Sequence, residues 1–343
     1  MHRPYVKLDV KNEIDELLTH LEKMLPRFEA LPGVIGITLN GGLSRGFADH
    51  LSEIDVTFYL DGSTYQMWNT EKSPIPTGIV KFDDMLYDIK IINYEEEDLR
   101  KYGEVELWDL SYAKILFDPD EKIRELFNKK LSEEQDVSKA FSLLWESYWN
   151  FKLAGDIWIN REDVLQGHLM LNESIKPMIK ALFIANKEYI PHEKWLVHMS
   201  RTLHWKPGDW EEKLMKTMSP GDFSVEDLAK RQAAIEELND EIDEYIKGKY
   251  FPEFNLKGHQ KPFFDLLKDF VKKESVLRED WEKVADLEDL NTDPLHMITE
   301  IQGDRILLNK KKLLSIEPKD LYPWHYEVVR GVIKDLQLNE SQE

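Results

Sequence analysis

A glycine pair, followed at a set distance by alternating acidic and apolar residues, constrains this chain more than any other feature. The apolar, β-branched run 34–39 stops just before Gly41-Gly42, which predicts a buried strand entering a glycine turn. After ten intervening residues, Glu53-Ile54-Asp55 opens a second apolar run that ends at residue 60. Side chains alternate between the two faces of a strand, so Glu53 and Asp55 are expected to face the same way.

Two carboxylates on one strand face predict a site for a hard cation. Mg²⁺ takes oxygen ligands and keeps part of its coordination shell for waters and substrate phosphates. Backbone amides of the glycine turn and the short helix after it, with Ser44 and Arg45, are expected to supply donors for phosphate oxygens. A third carboxylate, Asp88, lies in a later apolar run. Each feature alone is explained by an ordinary strand-end turn or a solvated strand edge, whereas their joint spacing favours a site for a metal ion and a nucleotide.

The rest of the first 130 residues predicts short strands and helices. Apolar residues at helical spacing predict a helix within 12–30. Further strands are expected at 79–82, 85–92 and 113–117. Asp83-Asp84 is expected to form a hairpin turn, and the polar residues 61–78 a loop. This pattern predicts the α+β class, with a small mixed β-sheet and flanking helices.

Beyond about residue 120 the pattern becomes helical, and an all-α domain is expected. Helices are expected at 138–155, 163–189, 224–247, 259–272, 276–289 and 318–336. A short hairpin is expected around Gly303-Asp304. The polar stretch 131–136 predicts the boundary, so we expect a catalytic domain at 1–132 and a helical substrate-binding domain at 133–343.

Composition narrows the class of partner. The 343 residues include 66 Asp and Glu against 45 Lys and Arg, and the formal charge of −21 disfavours a nucleic-acid substrate because it repels phosphate backbones. No apolar run approaches the ~18 residues that a membrane-spanning helix needs. Cysteine is absent, which suits a reducing compartment. We therefore expect a cytoplasmic protein with no membrane partner.

At these residues the sequence resembles the nucleotidyltransferase superfamily that includes DNA polymerase β, the aminoglycoside and lincosamide nucleotidyltransferases, and uncharacterised bacterial relatives. The signature of that superfamily is a glycine followed by Gly or Ser, a short spacer, an acidic-apolar-acidic triplet and a later acidic residue on an adjacent strand. Gly41-Gly42, Glu53-Ile54-Asp55 and Asp88 match it, within a resemblance that covers residues 33–118. Two residues depart from it: Asn40 stands where an apolar residue is usual, and Glu53 replaces the commoner Asp.

The resemblance implies transfer of a nucleoside monophosphate, AMP from ATP in the first place, to a hydroxyl group of a small molecule with release of pyrophosphate. Glu53, Asp55 and Asp88 would hold Mg²⁺, and Asp88 would also accept the proton of the acceptor hydroxyl. The residues expected to bind the nucleotide are Gly41, Gly42, Ser44, Arg45 and Lys194.

The helical half adds two candidates. Glu146 lies among Trp145, Tyr148 and Trp149, where a carboxylate would have a raised pKa and act as general base; aromatic residues that only build a core are the alternative. Lys194 would reach an ATP phosphate as a point charge, and an ordinary surface lysine is the alternative.

Three functions remain open from the sequence. The first is modification of a small molecule, expected to be cationic or neutral on charge grounds, as the polycationic aminoglycosides are. The second is a noncatalytic nucleotide-binding or antitoxin-like partner protein with the same fold, against which the intact set of three carboxylates argues. The third is an enzyme that nucleotidylates a protein.

Overall fold

The computed structural model describes residues 8–132 and 135–338, except for the side chains of residues 71 and 72. Contacts between residues divide the chain into two compact units. The first comprises residues up to Gln135 together with Asn186–Trp205, and the second comprises Asp136–Ala185 with the residues from Lys206 onward. Residue 133, where the predicted helical domain begins, lies outside the described residues. The division of the chain into domains at 1–132 and 133–343 stays a prediction.

The first unit is built on a mixed five-stranded sheet. Its strands are β1 Val34–Leu39, β2 Ile54–Leu60, β3 Gly78–Phe82, β4 Met85–Asn93 and β5 Lys114–Phe117. They lie in the order β3-β4-β2-β1-β5, with β2 and β4 parallel and the other neighbours antiparallel. The predicted strands are confirmed, and Asp83 and Asp84 form the β3–β4 turn with φ values of 47° and 69°.

Helices flank this sheet, and the chain class is α+β, as the pattern predicts. They are α1 Ile14–Glu29, α2 Gly41–Arg45, α3 Gly62–Met67, α4 Tyr94–Leu99, α5 Glu104–Tyr112 and α6 Lys122–Lys130. Helix α1 continues through Pro26, which lies in its last turn. Its apolar stripe covers one sheet face, where the Phe28 ring lies 5.3 Å from Phe58 and 6.1 Å from Tyr87.

The opposite face of the sheet divides into an apolar and a polar part. Tyr59 in β2 packs with Leu110 of α5 and with Ile123 and Leu126 of α6. Asp55, earlier on the same strand face, is only partly buried. On this face of β2, the helices therefore cover the end of the strand at Tyr59 and leave its beginning open. The Asp55 carboxylate lies in the open part, at an accessible edge of the sheet.

The prediction of a loop over 61–78 is wrong for its first part. The Asp61 carboxylate accepts a hydrogen bond from the Thr64 backbone N–H at 2.8 Å and caps α3. A π-helical turn at Trp68–Lys72 follows, and Trp68 is buried with its ring 6.0 Å from that of Phe58. The segment is therefore ordered by one cap and one aromatic anchor although its sequence is polar overall.

The second unit is mainly helical. Its helices before residue 186 are α7 Lys139–Tyr148, α8 Gly155–Asn160 and α9 Val164–Ala185. Residues 186–205, which belong to the first unit, carry α10 Glu193–Ser200. The second unit continues with α11 Trp210–Met218, α12 Val225–Tyr250, α13 Lys261–Lys273, α14 Arg278–Trp281, α15 Leu295–Ile298, α16 Lys310–Leu314 and α17 Pro323–Asp335. Ser224 caps α12 by accepting a hydrogen bond from the Asp227 backbone N–H at 3.0 Å.

A small antiparallel sheet accompanies these helices. Its strands are β6 Ser275–Leu277, β7 Thr299–Gln302 and β8 Arg305–Leu308, in the order β6-β8-β7. The predicted hairpin around Gly303 is confirmed, but the single helix predicted at 276–289 is wrong. Residues 275–277 instead pair with β8, and the buried Trp281 donates its indole N–H to the Asp286 carbonyl at 3.0 Å.

Across the described ranges, no helix combines the length and the apolar character that crossing a bilayer requires.

Candidate active site

A cleft of about 630 Å³ opens at the polar edge of the sheet, entirely within the first unit. It is lined by the β1–α2 turn, by β2, β4 and α5, and by the start of α10. Its lining includes Asn40, Gly41, Gly42, Arg45, Glu53, Asp55, Asp88, Lys90, Asp109, Lys194 and Trp195. Seven of the predicted site residues are thus brought together in one cleft, namely Gly41, Gly42, Arg45, Glu53, Asp55, Asp88 and Lys194.

The parallel pairing of β2 and β4 brings two of the predicted carboxylates side by side. Asp55 and Asp88 are register partners, and neighbouring strands lie about 4.8 Å apart, so both side chains leave the same sheet face as close neighbours. Glu53, just before β2, lines the same cleft, while Ile54 and Val56 are buried in the core below. The alternation predicted from the sequence is therefore observed.

These charges act on one another. The pKa of Asp55 is raised to about 6, first by burial and then by the negative charge of Glu53, with a smaller contribution from Asp88. Lys90 and Arg45 act in the opposite direction. The ionised form of Asp55 is thus unfavourable in the folded protein, and a cation bound in the cleft would stabilise it.

The donor set suits Mg²⁺ bound in part through a substrate. Mg²⁺ is commonly held by one or two protein carboxylates together with waters and substrate phosphates. Asp55 and Asp88 supply two such carboxylates on rigid strands. Within 8–132 and 135–338, no three Asp, Glu, His or Cys side chains form a group that would hold a metal ion by itself. The two carboxylates therefore suit Mg²⁺, and the described residues do not supply a complete set of ligands for it.

Lys90 is the cation nearest to this pair. Its Nζ lies 3.9 Å from an Asp88 carboxylate oxygen, and its side chain is 63% exposed. We expect Lys90→Met to tighten binding of Mn²⁺ to the nucleotide-free protein about three- to tenfold, because a competing positive charge is removed. Calorimetric titration measures this affinity. Lys81→Met, on an exposed β3 position outside the cleft, should leave it unchanged, and an equal effect of both variants would contradict the prediction.

The glycine turn lies directly against Asp55. Gly41 has a φ of +64°, and a Cβ at this position would lie 1.7 Å from the Asp55 Oδ2. At Gly42 the restriction is smaller, since a Cβ there would lie 3.0 Å from the Phe47 carbonyl oxygen. Gly41 is therefore required for the backbone to approach the carboxylate, and this is the more demanding of the two glycine positions.

Asn40, one of the two departures from the superfamily pattern, has a local role. Its backbone N–H donates to the Asp55 carbonyl at 2.9 Å, and its side-chain amide donates to the Thr57 hydroxyl at 2.6 Å. The Thr38 hydroxyl donates to its amide oxygen at 3.2 Å. The polar side chain thus cross-links β1 and β2 on the cleft face, where an apolar residue would leave Thr57 without this partner.

The structure gives Ser44 and Arg45 intramolecular partners. Ser44 is buried, donates its hydroxyl hydrogen to the Gly41 carbonyl at 2.9 Å, and is not part of the cleft lining. Arg45 lines the cleft, yet its side chain is only 5% exposed and its Nη1 donates to the Asp109 carboxylate at 3.2 Å. Ser44 therefore stabilises the turn from within, and Arg45 links α2 to α5.

The two candidates from beyond residue 135 have different positions. Lys194 lines the cleft at the start of α10, together with His192, whose Nδ1 accepts from the Lys194 backbone N–H. Glu146 belongs to the second unit and its side chain is exposed, while the neighbouring Trp145 ring stacks on Trp324 with centroids 4.2 Å apart. Trp145 thus packs against another aromatic ring, and the exposed Glu146 carboxylate lacks the aromatic surroundings expected from the sequence.

The sequence analysis missed several cleft residues. Lys90 had a detectable signal, since it lies two residues after Asp88 and strand alternation places it on the same face. Asp109 and Trp108 had none, because α5 carries no motif and only the folded chain brings it to the turn.

Comparison with known proteins gives little further information. No protein-family model matches the chain, and no curated protein matches it. Among solved structures, a nucleotidyltransferase-like protein from Exiguobacterium sibiricum 255-15 is similar over 76% of this chain and 92% of its own, with 9% sequence identity and a TM-score of 0.40. A likeness at this level carries no argument about function.

Proposed function

We propose that this chain is a nucleotidyltransferase that transfers a nucleoside monophosphate, AMP from ATP in the first place, to a hydroxyl group of a small molecule and releases pyrophosphate. The observation that carries the proposal is the contact between the glycine turn and the carboxylate pair. Gly41 places backbone against Asp55, and Asp55 is in register with Asp88 inside one cleft. A phosphate chain bound along the turn would meet both carboxylates.

The cleft residues have separable roles in this proposal. Asp55 and Asp88, with Glu53 in the same cleft, would hold Mg²⁺ together with the substrate phosphates, and the bound ion would polarise the phosphoryl oxygens and neutralise charge on the leaving pyrophosphate. Asp88 accepts the proton of the acceptor hydroxyl as that oxygen attacks the α-phosphorus. Lys194 provides a positive charge for the phosphate chain from the start of α10, which lines the same cleft.

Charge in the cleft supports a cationic or neutral acceptor. The lining includes six carboxylates, Asp49, Glu53, Asp55, Asp88, Glu106 and Asp109, against the cations Arg45, Lys90 and Lys194. Metal ions would offset part of this excess when the triphosphate is bound. The remaining carboxylates lie on α5 and near the glycine turn, where they would attract amino groups of an acceptor such as an aminoglycoside.

The decisive experiment follows both products of the reaction. The protein is incubated with Mg²⁺, each of the four α-labelled NTPs and panels of hydroxyl-bearing small molecules, and pyrophosphate release and label transfer are measured. We expect release and transfer to depend on the acceptor. Binding of ATP without turnover under any condition would instead favour the noncatalytic nucleotide-binding protein, and label transferred to a polypeptide would favour protein nucleotidylation.

The acceptor's affinity is expected to depend on salt. If carboxylates of the cleft attract a cationic acceptor, its KM should rise as ionic strength increases from low to physiological, where the Debye length falls to about 8 Å. Steady-state kinetics at saturating ATP measures this, with a neutral acceptor as control. A KM for the cationic acceptor that does not change with salt would contradict the charge argument.

A further inference from the structure

The start of α10 brings one aromatic side chain into the cleft. Trp195 is partly buried, lines the cleft and follows Lys194 directly. His192 fixes the beginning of the helix, because its ring nitrogen accepts from the Lys194 N–H at 3.2 Å. The indole is therefore carried by a capped helix rather than by a loop.

Arg45 holds this indole from within the protein. Its guanidinium carbon lies 5.4 Å from the centroid of the Trp195 ring and 4.7 Å from that of Trp108. The Asp109 carboxylate fixes the same guanidinium by accepting a hydrogen bond from Nη1. A buried, planar cation over both rings immobilises Trp195 before any ligand arrives, and an immobilised aromatic surface loses little conformational entropy on binding.

The other aromatic side chains of the cleft are less suited to contact a ligand. Tyr59 and Trp108 are 3% and 1% exposed. Phe47 is partly exposed but belongs to the glycine turn, where its N–H donates to the Gly42 carbonyl at 3.2 Å. Trp195 is only partly buried and lines the cleft from the start of α10.

We propose that Trp195 is the surface on which the nucleobase of the nucleoside triphosphate stacks, an inference that rests on the proposed function. Indole accepts any nucleobase because every base has a π-face, and purines gain more than pyrimidines through their larger area. Lys194, which precedes Trp195 in α10, lines the same cleft and provides a charge for the phosphates. Trp195 contributes to the affinity for a nucleotide and not to the affinity for its phosphate chain alone.

Calorimetry with two ligands tests this inference. Mg·ATP and magnesium tripolyphosphate are titrated into the full chain as wild type, Trp195→Ala and Trp195→Phe. We expect the alanine variant to lose about tenfold in ATP affinity with tripolyphosphate affinity unchanged, and the phenylalanine variant to recover most of the loss. Lys194→Met should weaken both ligands, and Phe47→Leu should weaken neither selectively. Thermal melting of each variant shows whether the fold is kept.

The outcomes separate this inference from the proposed function. If the wild type binds ATP and Trp195→Ala binds it equally well, stacking on Trp195 is overturned while the proposed function stands. An equal loss for ATP and tripolyphosphate, or a selective loss of ATP in Phe47→Leu alone, also overturns it. If the wild type binds neither ligand, the proposed function fails and this inference fails with it.

Discussion

Asp55→Asn should lower Mg²⁺-dependent nucleotidyl transfer by about a thousandfold or more. The amide keeps the size of the side chain but removes the charge that, in the proposed function, would hold the metal ion beside Asp88, and metal-assisted stabilisation of phosphoryl transfer amounts to several kcal/mol. The measurement is pyrophosphate release at saturating ATP and acceptor. If Asp55→Asn turned over at the wild-type rate, the assignment of the cleft as the active site would be wrong.

Measurements of stability test whether this loss comes from unfolding. Because the pKa of Asp55 is raised to about 6 in the fold, its charge destabilises the metal-free protein above that pH. Asp55→Asn should therefore melt at the same or a higher temperature at pH 8, and this advantage should vanish as the pH falls through about 6 towards 4. Asp84→Asn is the matched control, since Asp84 is exposed in the β3–β4 turn and asparagine accepts its positive φ. It should change neither property.

Gly41→Ala should have the second-largest effect, on activity and stability together. The new Cβ would overlap the Asp55 carboxylate, at 1.7 Å from Oδ2, and the φ of +64° is itself strained for alanine. Either Asp55 or the turn has to move. We expect a loss of about 1–3 kcal/mol in the free energy of unfolding and turnover reduced nearly as far as in Asp55→Asn. Urea denaturation and pyrophosphate release measure the two quantities.

Gly78→Ala separates backbone strain from the clash. Gly78 has a φ of +78°, and a Cβ there would meet nothing within 4 Å. This variant carries a similar conformational penalty, so it should lose stability while keeping turnover. If it loses turnover as Gly41→Ala does, the contact between Gly41 and Asp55 is not the cause.

The sequence predicted the parts of this site that depend on local pattern. The strand bounds of β1 and β2 and the shared face of Glu53 and Asp55 follow from apolar alternation and from the glycine turn, which act over a few residues. The partnership of Asp55 with Asp88 required a strand pairing across 33 positions, which the resemblance supplied and periodicity did not.

The parts that failed depend on contacts distant in sequence. Residues 276–289 have helical spacing, but pairing with β8 and the buried Trp281 override that local preference. The grouping of residues 186–205 with the first unit has no local signal, because α10 is recruited by packing that the periodicity of its own sequence does not encode. Trp195 was therefore not predicted to join the cleft, although the neighbouring Lys194 was.

The parallel pairing of β2 with β4 has a consequence for how such a cleft can diversify. The spacing of Asp55 and Asp88 is set by backbone hydrogen bonds between two adjacent strands, so the intervening segment 61–78 does not determine it. Lengthening a surface connection costs little free energy, since closure entropy grows only with the logarithm of length. Insertions between α3 and β3 can therefore accumulate without disturbing the spacing of the acidic pair.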